Sequence, residues 1–312
     1  MTKPDLTVNL GGLKLDTPIL AASGPIGNSF QYRERFSVHA LGAIIVKGVS
    51  PEPWPGNPPP RLAETASGML NAIGLQNPGL KHFLEQDLPQ LKNTGTRIIV
   101  NIVGRTVEEY ARVAGGLNGQ EGVDGLEINI SCPNIKAGGI AFGTDPDQTY
   151  HLVSAVRRQT NLPLLVKLSP NVTDITVLAR AAEAAGADAL SLINTLAGML
   201  IDIETRRPLL GNTFGGLSGR AIIPVALKMV WQAAEAVKIP LVGMGGISSA
   251  RDALQFIMAG ARAVAVGTAL FNNPELPDEI YQGLADYMLE HDIAALGDLE
   301  GIAHKGDDFG EQ

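Results

Sequence analysis

The sequence predicts an α/β chain folded as a (β/α)8 barrel, and three observations carry that expectation. Short runs of Val, Ile and Leu recur along the 312 residues without strict alternation, as parallel strands buried on both faces require. Between them lie stretches with helical spacing of apolar residues, closed by glycine where a helix end wants a left-handed residue. The runs number eight, the strand count of the closed barrel.

In chain order, LTVNLGGLKLDTP comes first and reads as a hairpin over about residues 6–17, with a Gly-Gly turn, covering the barrel bottom. The strands follow as PILAAS (18–23), AIIVKG (43–48), RIIVNIVG (97–104), GLEINISC (125–132), PLLVKLSP (163–170), ALSLINTL (189–196), PLVGMGGI (240–247) and AVAVGTAL (263–270). DITVLARAAEAAGA (174–187) and SARDALQFIMAGA (249–261) are the clearest helices between them. Three connections, Val49–Pro78, Pro133–Pro146 and Ala197–Arg220, exceed the roughly 2–6 residues usual in such units and are the natural place for a site. The polar tail over about 304–312 is expected to fray. A doubly wound sheet would want GxGxxG after its first strand, and AASGPIG does not match. No linker or charge block divides the chain, so residues 1–312 are expected to form a single domain.

Composition narrows the function. A formal charge of −8 opposes any general attraction to nucleic acid or anionic lipid. One Cys cannot form an internal disulfide, and no apolar run reaches the ~18 residues of a membrane span. The first residues lack the basic-then-apolar design of a signal peptide, so a cytoplasmic protein with a small-molecule site is expected.

A barrel places its active site at the C-terminal end of the strands, where a polar residue that ends an apolar run can face the open mouth. Ser23, Lys47, Asn101, Asn129, Cys132, Lys167, Asn194 and Thr195 stand at such ends. The last two strands end in Gly245–Gly246 and Gly267–Thr268, which read either as tight turns or as a phosphate site, with the helix start at Ser248–Ser249 adding dipole attraction. Lys47 and Lys167 are either rim lysines that reach water or partners of an anionic ligand, for which flavin mononucleotide (FMN) and a sugar phosphate both qualify. Asn71, Asn129, Asn134 and Asn194 are turn residues and caps taken singly; together they suit an imide- or urea-like planar substrate. Asn77 in NPG reads as a turn. A Schiff-base aldolase using Lys167 is a further option on the same fold. No metal site is expected on this chain.

Several motifs together resemble one family. NISCPN (129–134), GMLNAIGLQNPG (68–79), GGIAFGTDP (138–146), VKLSPNVTDI (166–175), INTLAGM (193–199), GGLSG (215–219), GMGGI (243–247) and AVAVGTALF (263–271) are similar to the class 1 dihydroorotate dehydrogenases, and most of all to the catalytic subunit of the NAD-linked class 1B enzymes. The likeness runs from about Leu10 to Phe271.

The resemblance implies an FMN enzyme of pyrimidine biosynthesis that oxidises dihydroorotate to orotate. It assigns FMN to Ser23, Lys47, Gly48, Asn101, Asn129, Lys167, Ile193, Gly219, Gly245, Gly246, Gly267 and Thr268. It assigns substrate to Lys47, Asn71, Ala72, Ile73, Gly74, Leu75, Asn129, Asn134, Asn194 and Thr195. Cys132 becomes the base that takes the proton. A free thiol titrates near ~8.5, within reach of neutral once lysines and amides favour the thiolate. The competing reading of Cys132 is a buried structural cysteine.

Class 1B enzymes pass electrons to NAD through a partner subunit holding FAD and a 2Fe-2S cluster. The resemblance therefore implies a homodimer assembling with that subunit into a heterotetramer. GGIAFGTDP after the cysteine favours this over the fumarate-linked class 1A enzymes. This chain has neither the cysteines for a cluster nor a Rossmann fingerprint.

Overall fold

A computed structural model describes residues 4–26, 38–131 and 142–308, the last three of these in backbone only. The eight apolar runs become eight parallel strands. They are β1 (Ile19–Ala21), β2 (Ala43–Ile45), β3 (Arg97–Ile102), β4 (Gly125–Asn129), β5 (Leu164–Lys167), β6 (Ala189–Leu192), β7 (Leu241–Met244) and β8 (Ala263–Val266). Each pairs with its neighbours in sequence, and β8 pairs with β1, closing the barrel.

Six α-helices of nine or more residues, Val107–Leu117, Pro146–Arg157, Ile175–Ala184, Ile223–Ala236, Ala250–Met258 and Leu276–Glu290, lie among the described residues. Local chemistry sets where several of them start. Thr106, Asp145, Asp174 and Ser249 each accept a hydrogen bond from an N–H of the first turn, which has no acceptor inside its helix. Gly186 (φ 96°) and Gly260 (φ 107°) end two of the helices in the left-handed region. Behind them, Ala187 N–H donates to the Ala182 carbonyl and Ala261 N–H to that of Phe256 at 3.1 and 2.9 Å, which satisfies carbonyls that would otherwise lack donors. Among the described residues no helix is long and apolar enough to cross a membrane.

The barrel interior is graded from apolar to polar. Strands Val8–Leu10 and Leu13–Leu15 form an antiparallel hairpin around Gly11-Gly12, whose φ values are 58° and 99°. Its Leu10, Leu13 and Leu15 share a cluster with Leu20, Ala43, Ile45, Ile99, Leu165, Ala189, Val242 and Ala263. These barrel residues recur at a period of two, so they line the axis, and the hairpin closes the N-terminal end. Two residues further along β3 to β6, the same inward direction carries Asn101, Glu127, Lys167 and Ser191, all buried. The interior thus changes from hydrocarbon to hydrogen-bonding groups on the way to the C-terminal rim.

Two of the long connections are joined to each other. Leu62–Thr65 and Gly68–Asn71 after β2, with Leu196–Gly198 and Gly215–Ser218 after β6, form a four-stranded antiparallel sheet. Both connections leave the C-terminal ends of their strands, so this sheet stands at the mouth. The start of the tail is anchored. His304 stacks on Trp231 with 3.6 Å between ring centroids and places Nε2 3.0 Å from the Ala259 carbonyl, so residue 304 is held by packing. Residues 309–312 lie outside the described residues.

Candidate active site

At the rim, side chains from β3, β4 and β6 form a chain of hydrogen bonds that all run one way. Asn194 Nδ2 donates to Ser131 Oγ at 2.8 Å, and Ser131 Oγ donates to Asn129 Oδ1 at 3.2 Å. Asn129 Nδ2 donates to Asn101 Oδ1 at 3.3 Å, and Asn101 Nδ2 donates to Glu127 Oε2. The other Glu127 oxygen accepts from Ser191 Oγ at 2.7 Å. Asn101, Glu127 and Ser191 are fully buried, and Asn129 nearly so. Tyr110, behind the sheet, holds the Asn129 carbonyl through its hydroxyl at 2.7 Å.

Lys167 ends β5 beside this chain and is only 5% exposed. Among the described residues it has no carboxylate partner, and its ammonium donates only to Ser23 Oγ, across a long 3.5 Å. A buried ammonium with one stretched bond to a neutral hydroxyl is under-solvated, so this site suits an anionic or electron-rich ligand. Lys47 is half-buried just past β2, and Gly48 sits against Asn101 Oδ1 and Val103, with room for no side chain.

The glycine corner is equally specific in shape. Gly219, Gly245 and Gly246 have φ of 100°, 134° and 86°, a region side chains disfavour. A Cβ on Gly246 would stand 2.7 Å from the Gly219 carbonyl, and one on Gly245 would stand 2.7 Å from Ala226. Thr268 Oγ1 donates to Ser218 Oγ at 2.8 Å, bringing the end of β8 to the mouth sheet. Thr268 also opens a 3-10 turn, where the first amides have no acceptor of their own. Ser248–Ser249 do not serve as expected. The buried Asp252 carboxylate accepts from Ser248 N–H at 3.0 Å and from Ser248 Oγ at 3.1 Å, so the chain's own anion takes the place read as a ligand's. Ile193 N–H bonds the Met244 carbonyl at 2.9 Å, tying β6 to the glycine turn.

The segment Asn71–Leu75 divides into two kinds of residue. Asn71 is half-buried in the mouth sheet, with Nδ2 3.4 Å from the Gly216 carbonyl. Ala72 packs with Leu70 and Leu210, and Leu75 with Trp54 and Val103, so their side chains belong to small cores and only their backbone can meet a ligand. Gly74 (φ 74°) lies against Asn57, whose N–H holds the Ile73 carbonyl at 3.0 Å. Asn77 is a buried anchor: its Oδ1 accepts from Ser50 Oγ at 2.8 Å and from Gly79 N–H at 2.9 Å. Thr195 packs against Gly216, and Asn171 Nδ2 holds the Thr195 carbonyl at 3.1 Å.

Cys132 and Asn134 lie outside the described residues. Sequence reasoning missed Glu127, Ser131, Ser191 and Ser218. For two of them a signal existed, because Glu127 and Ser191 interrupt otherwise apolar runs at inward-facing positions.

The residues fit a flavin nucleotide. They offer a buried ammonium with no carboxylate partner among the described residues, two amides of set orientation, and a side-chain-free corner with backbone donors. Comparison with known proteins agrees. The family model described as dihydroorotate dehydrogenase matches residues 5–288. Over 299 residues the chain is 55% identical to the "dihydroorotate dehydrogenase B (NAD(+)), catalytic subunit" of Pelobacter propionicus, covering 96% of this chain and 98% of that one. It is 53% identical over 301 residues to the protein of the same name from Citrifermentans bemidjiense, covering 96% and 99%. A crystal structure of DHODH from Eimeria tenella in complex with ferulenol shares the fold, with TM-score 0.81 at 24% identity over 96% of this chain and 89% of that one. A Schiff-base aldolase would also explain a lysine at the end of β5, but it would not explain likeness over the whole barrel. With its rim geometry and its sequence in agreement from the first strand to the last helix, the chain belongs to the dihydroorotate dehydrogenase family.

Proposed function

We propose that this chain is the FMN-bearing catalytic subunit of an NAD-linked dihydroorotate dehydrogenase, working in the cytoplasm as a homodimer joined to a partner subunit. The observation that carries the reading is Lys167, a nearly buried ammonium at the rim with no acidic partner among the described residues, beside the Asn101 and Asn129 amides. Flavin, when bound, accepts a hydride and so supplies the redox chemistry that no amino-acid side chain offers.

The chain's own residues do the rest. Lys47 and Lys167 favour the negative charge that the ring system gains on reduction. Ser23, Gly48, Asn101, Asn129 and Ile193 frame the ring, while Gly219, Gly245, Gly246, Gly267 and Thr268 form the corner for the phosphate. The backbone of Ala72–Leu75 and the amides of Asn71, Asn129, Asn134 and Asn194, with Thr195, read the donors and acceptors of a flat cyclic imide. Cys132 takes the proton from the ring carbon next to the carbonyl as hydride leaves its neighbour; the C–C single bond becomes double and orotate results. Reduction of NAD would need a partner subunit supplying FAD and a 2Fe-2S cluster, and the names of the relatives favour NAD over fumarate as acceptor.

The test is spectroscopic. The purified chain should be yellow, and its flavin absorption should bleach when dihydroorotate is added without oxygen. NAD reduction should need a co-expressed partner subunit, and fumarate should not replace NAD. A colourless chain that binds no FMN would dismiss the reading.

A further inference from the structure

Glu127 is the one carboxylate among the described interior rim residues, and nothing in the proposed chemistry uses it. It is fully buried, has no ion-pair partner among the described residues, and is held by Asn101 and Ser191. Burying a carboxylate is expensive, and an apolar residue at this inward position would stabilise the barrel more. A structural role therefore explains it poorly. An ionised glutamate can only accept, whereas a carboxamide both donates and accepts and can be turned end for end.

We propose that Glu127 is a positioning residue that sets which way the amides of Asn101 and Asn129 face the flavin. The chain of bonds runs outward from Glu127. Because Glu127 only accepts, Asn101 must turn Nδ2 toward it and Oδ1 toward Asn129. Asn129 must then turn Nδ2 toward Asn101, which leaves its Oδ1 to accept from Ser131 Oγ at 3.2 Å and from Ser131 N–H at 3.3 Å. Ser131, so committed, presents its oxygen to Asn194 Nδ2 at 2.8 Å. The acceptor-only group at the closed end thus sets Asn101 and, together with Ser131 N–H, Asn129; Asn194 beyond them is held in the same sense by Thr195 N–H on its Oδ1 at 2.8 Å and by the Ser131 carbonyl at 3.3 Å. Glu127 lies on the strand next to that of Lys167, one inward position deeper, where Leu165 is its partner in register, and a carboxylate there opposes the accumulation of charge on a reduced ring above it. This inference rests on the reading of Asn101 and Asn129 as flavin contacts.

Three variants test it: Glu127→Gln, Glu127→Asp and Ser191→Ala, each compared with wild type for FMN dissociation, orotate affinity and the flavin reduction midpoint. Glu127→Gln keeps the shape but frees the amides to turn. It should weaken FMN and orotate binding by roughly 10- to 100-fold, the worth of one charged hydrogen bond, and move the midpoint upward. Glu127→Asp keeps the charge but withdraws from Asn101, so FMN binding should weaken while the midpoint stays near wild type. Ser191→Ala removes the other donor to Glu127 but leaves the Glu127–Asn101 bond, so its shifts in all three quantities should be clearly smaller than those of Glu127→Gln. Wild-type FMN affinity and midpoint in Glu127→Gln would overturn the role, as would equal shifts in Ser191→Ala. Should Glu127→Gln not fold, wild-type FMN affinity in Glu127→Asp would overturn it alone. A wild-type chain that holds no FMN removes the functional reading itself, which separates that failure from the failure of Glu127.

Discussion

Cys132 follows directly after Ser131, the residue that links the amides of Asn129 and Asn194, so the proposed proton acceptor sits next in sequence to a member of the polar chain. Its replacement by alanine is expected to keep FMN and orotate binding and to lose about 10²–10⁴-fold in turnover near neutral pH, the usual contribution of a general base. Rates of bleaching by dihydroorotate measure this directly. Cys132→Ser should recover activity only at higher pH, because a hydroxyl is the weaker base; full turnover in the alanine variant would take the thiol out of the mechanism. Lys167 was legible as unusual because it ends LLVK, but its near-complete burial, with no carboxylate partner among the described residues, became clear only with the strands in place. Glu127 was visible as a charge inside GLEIN, yet its partners lie 26 and 64 residues away, beyond any local pattern.

At the scale of elements, the N-terminal hairpin is tied to the barrel by leucines. Leu10 is fully buried against the barrel's inner layer, so Leu10→Ala should cost about 2–5 kcal/mol in urea unfolding, through lost burial and the cavity left behind. Per folded molecule, FMN content should not change, since the rim lies at the opposite end of the barrel. Helix starts give a pH-dependent prediction. The Thr176 hydroxyl and N–H hold Asp174 below its ordinary value of 3.8. A depressed carboxylate stabilises the fold above its ordinary value and loses that contribution as pH falls through the folded one. Asp174→Asn should therefore lower Tm at pH 7, and the deficit should shrink as pH falls below the ordinary value of 3.8; a deficit that does not shrink in acid would refute the charge effect. The mouth sheet was not readable at all. Asn71 meets Gly216 across 145 residues, and the short glycine-rich strands involved carry no periodic signal of their own.

For the whole molecule, one large cluster of buried side chains runs from Leu6 to Leu299 through the helices and the outer faces of the strands. We propose that residues 1–312 behave as a single cooperative unit, and calorimetry of the flavin-loaded protein should give one transition. Two resolved transitions would mean that the mouth sheet or the tail folds separately.

The fold and the family could be read from the order of residues alone, because a strand buried on both faces leaves a continuous apolar run and a rim residue leaves a polar letter at its end. These are local signals. Ser23, Lys47, Asn101, Asn129, Lys167 and Asn194 are visible in this way, and so are the glycines of the phosphate corner. Direction was not visible: which end of each amide faces outward, that Asp252 fills the helix start expected to attract an anion, and that Ala72 and Leu75 turn their side chains into small cores. Those outcomes depend on contacts between strands far apart in the chain, where the orientation of one group is imposed by the donors and acceptors that barrel closure brings beside it.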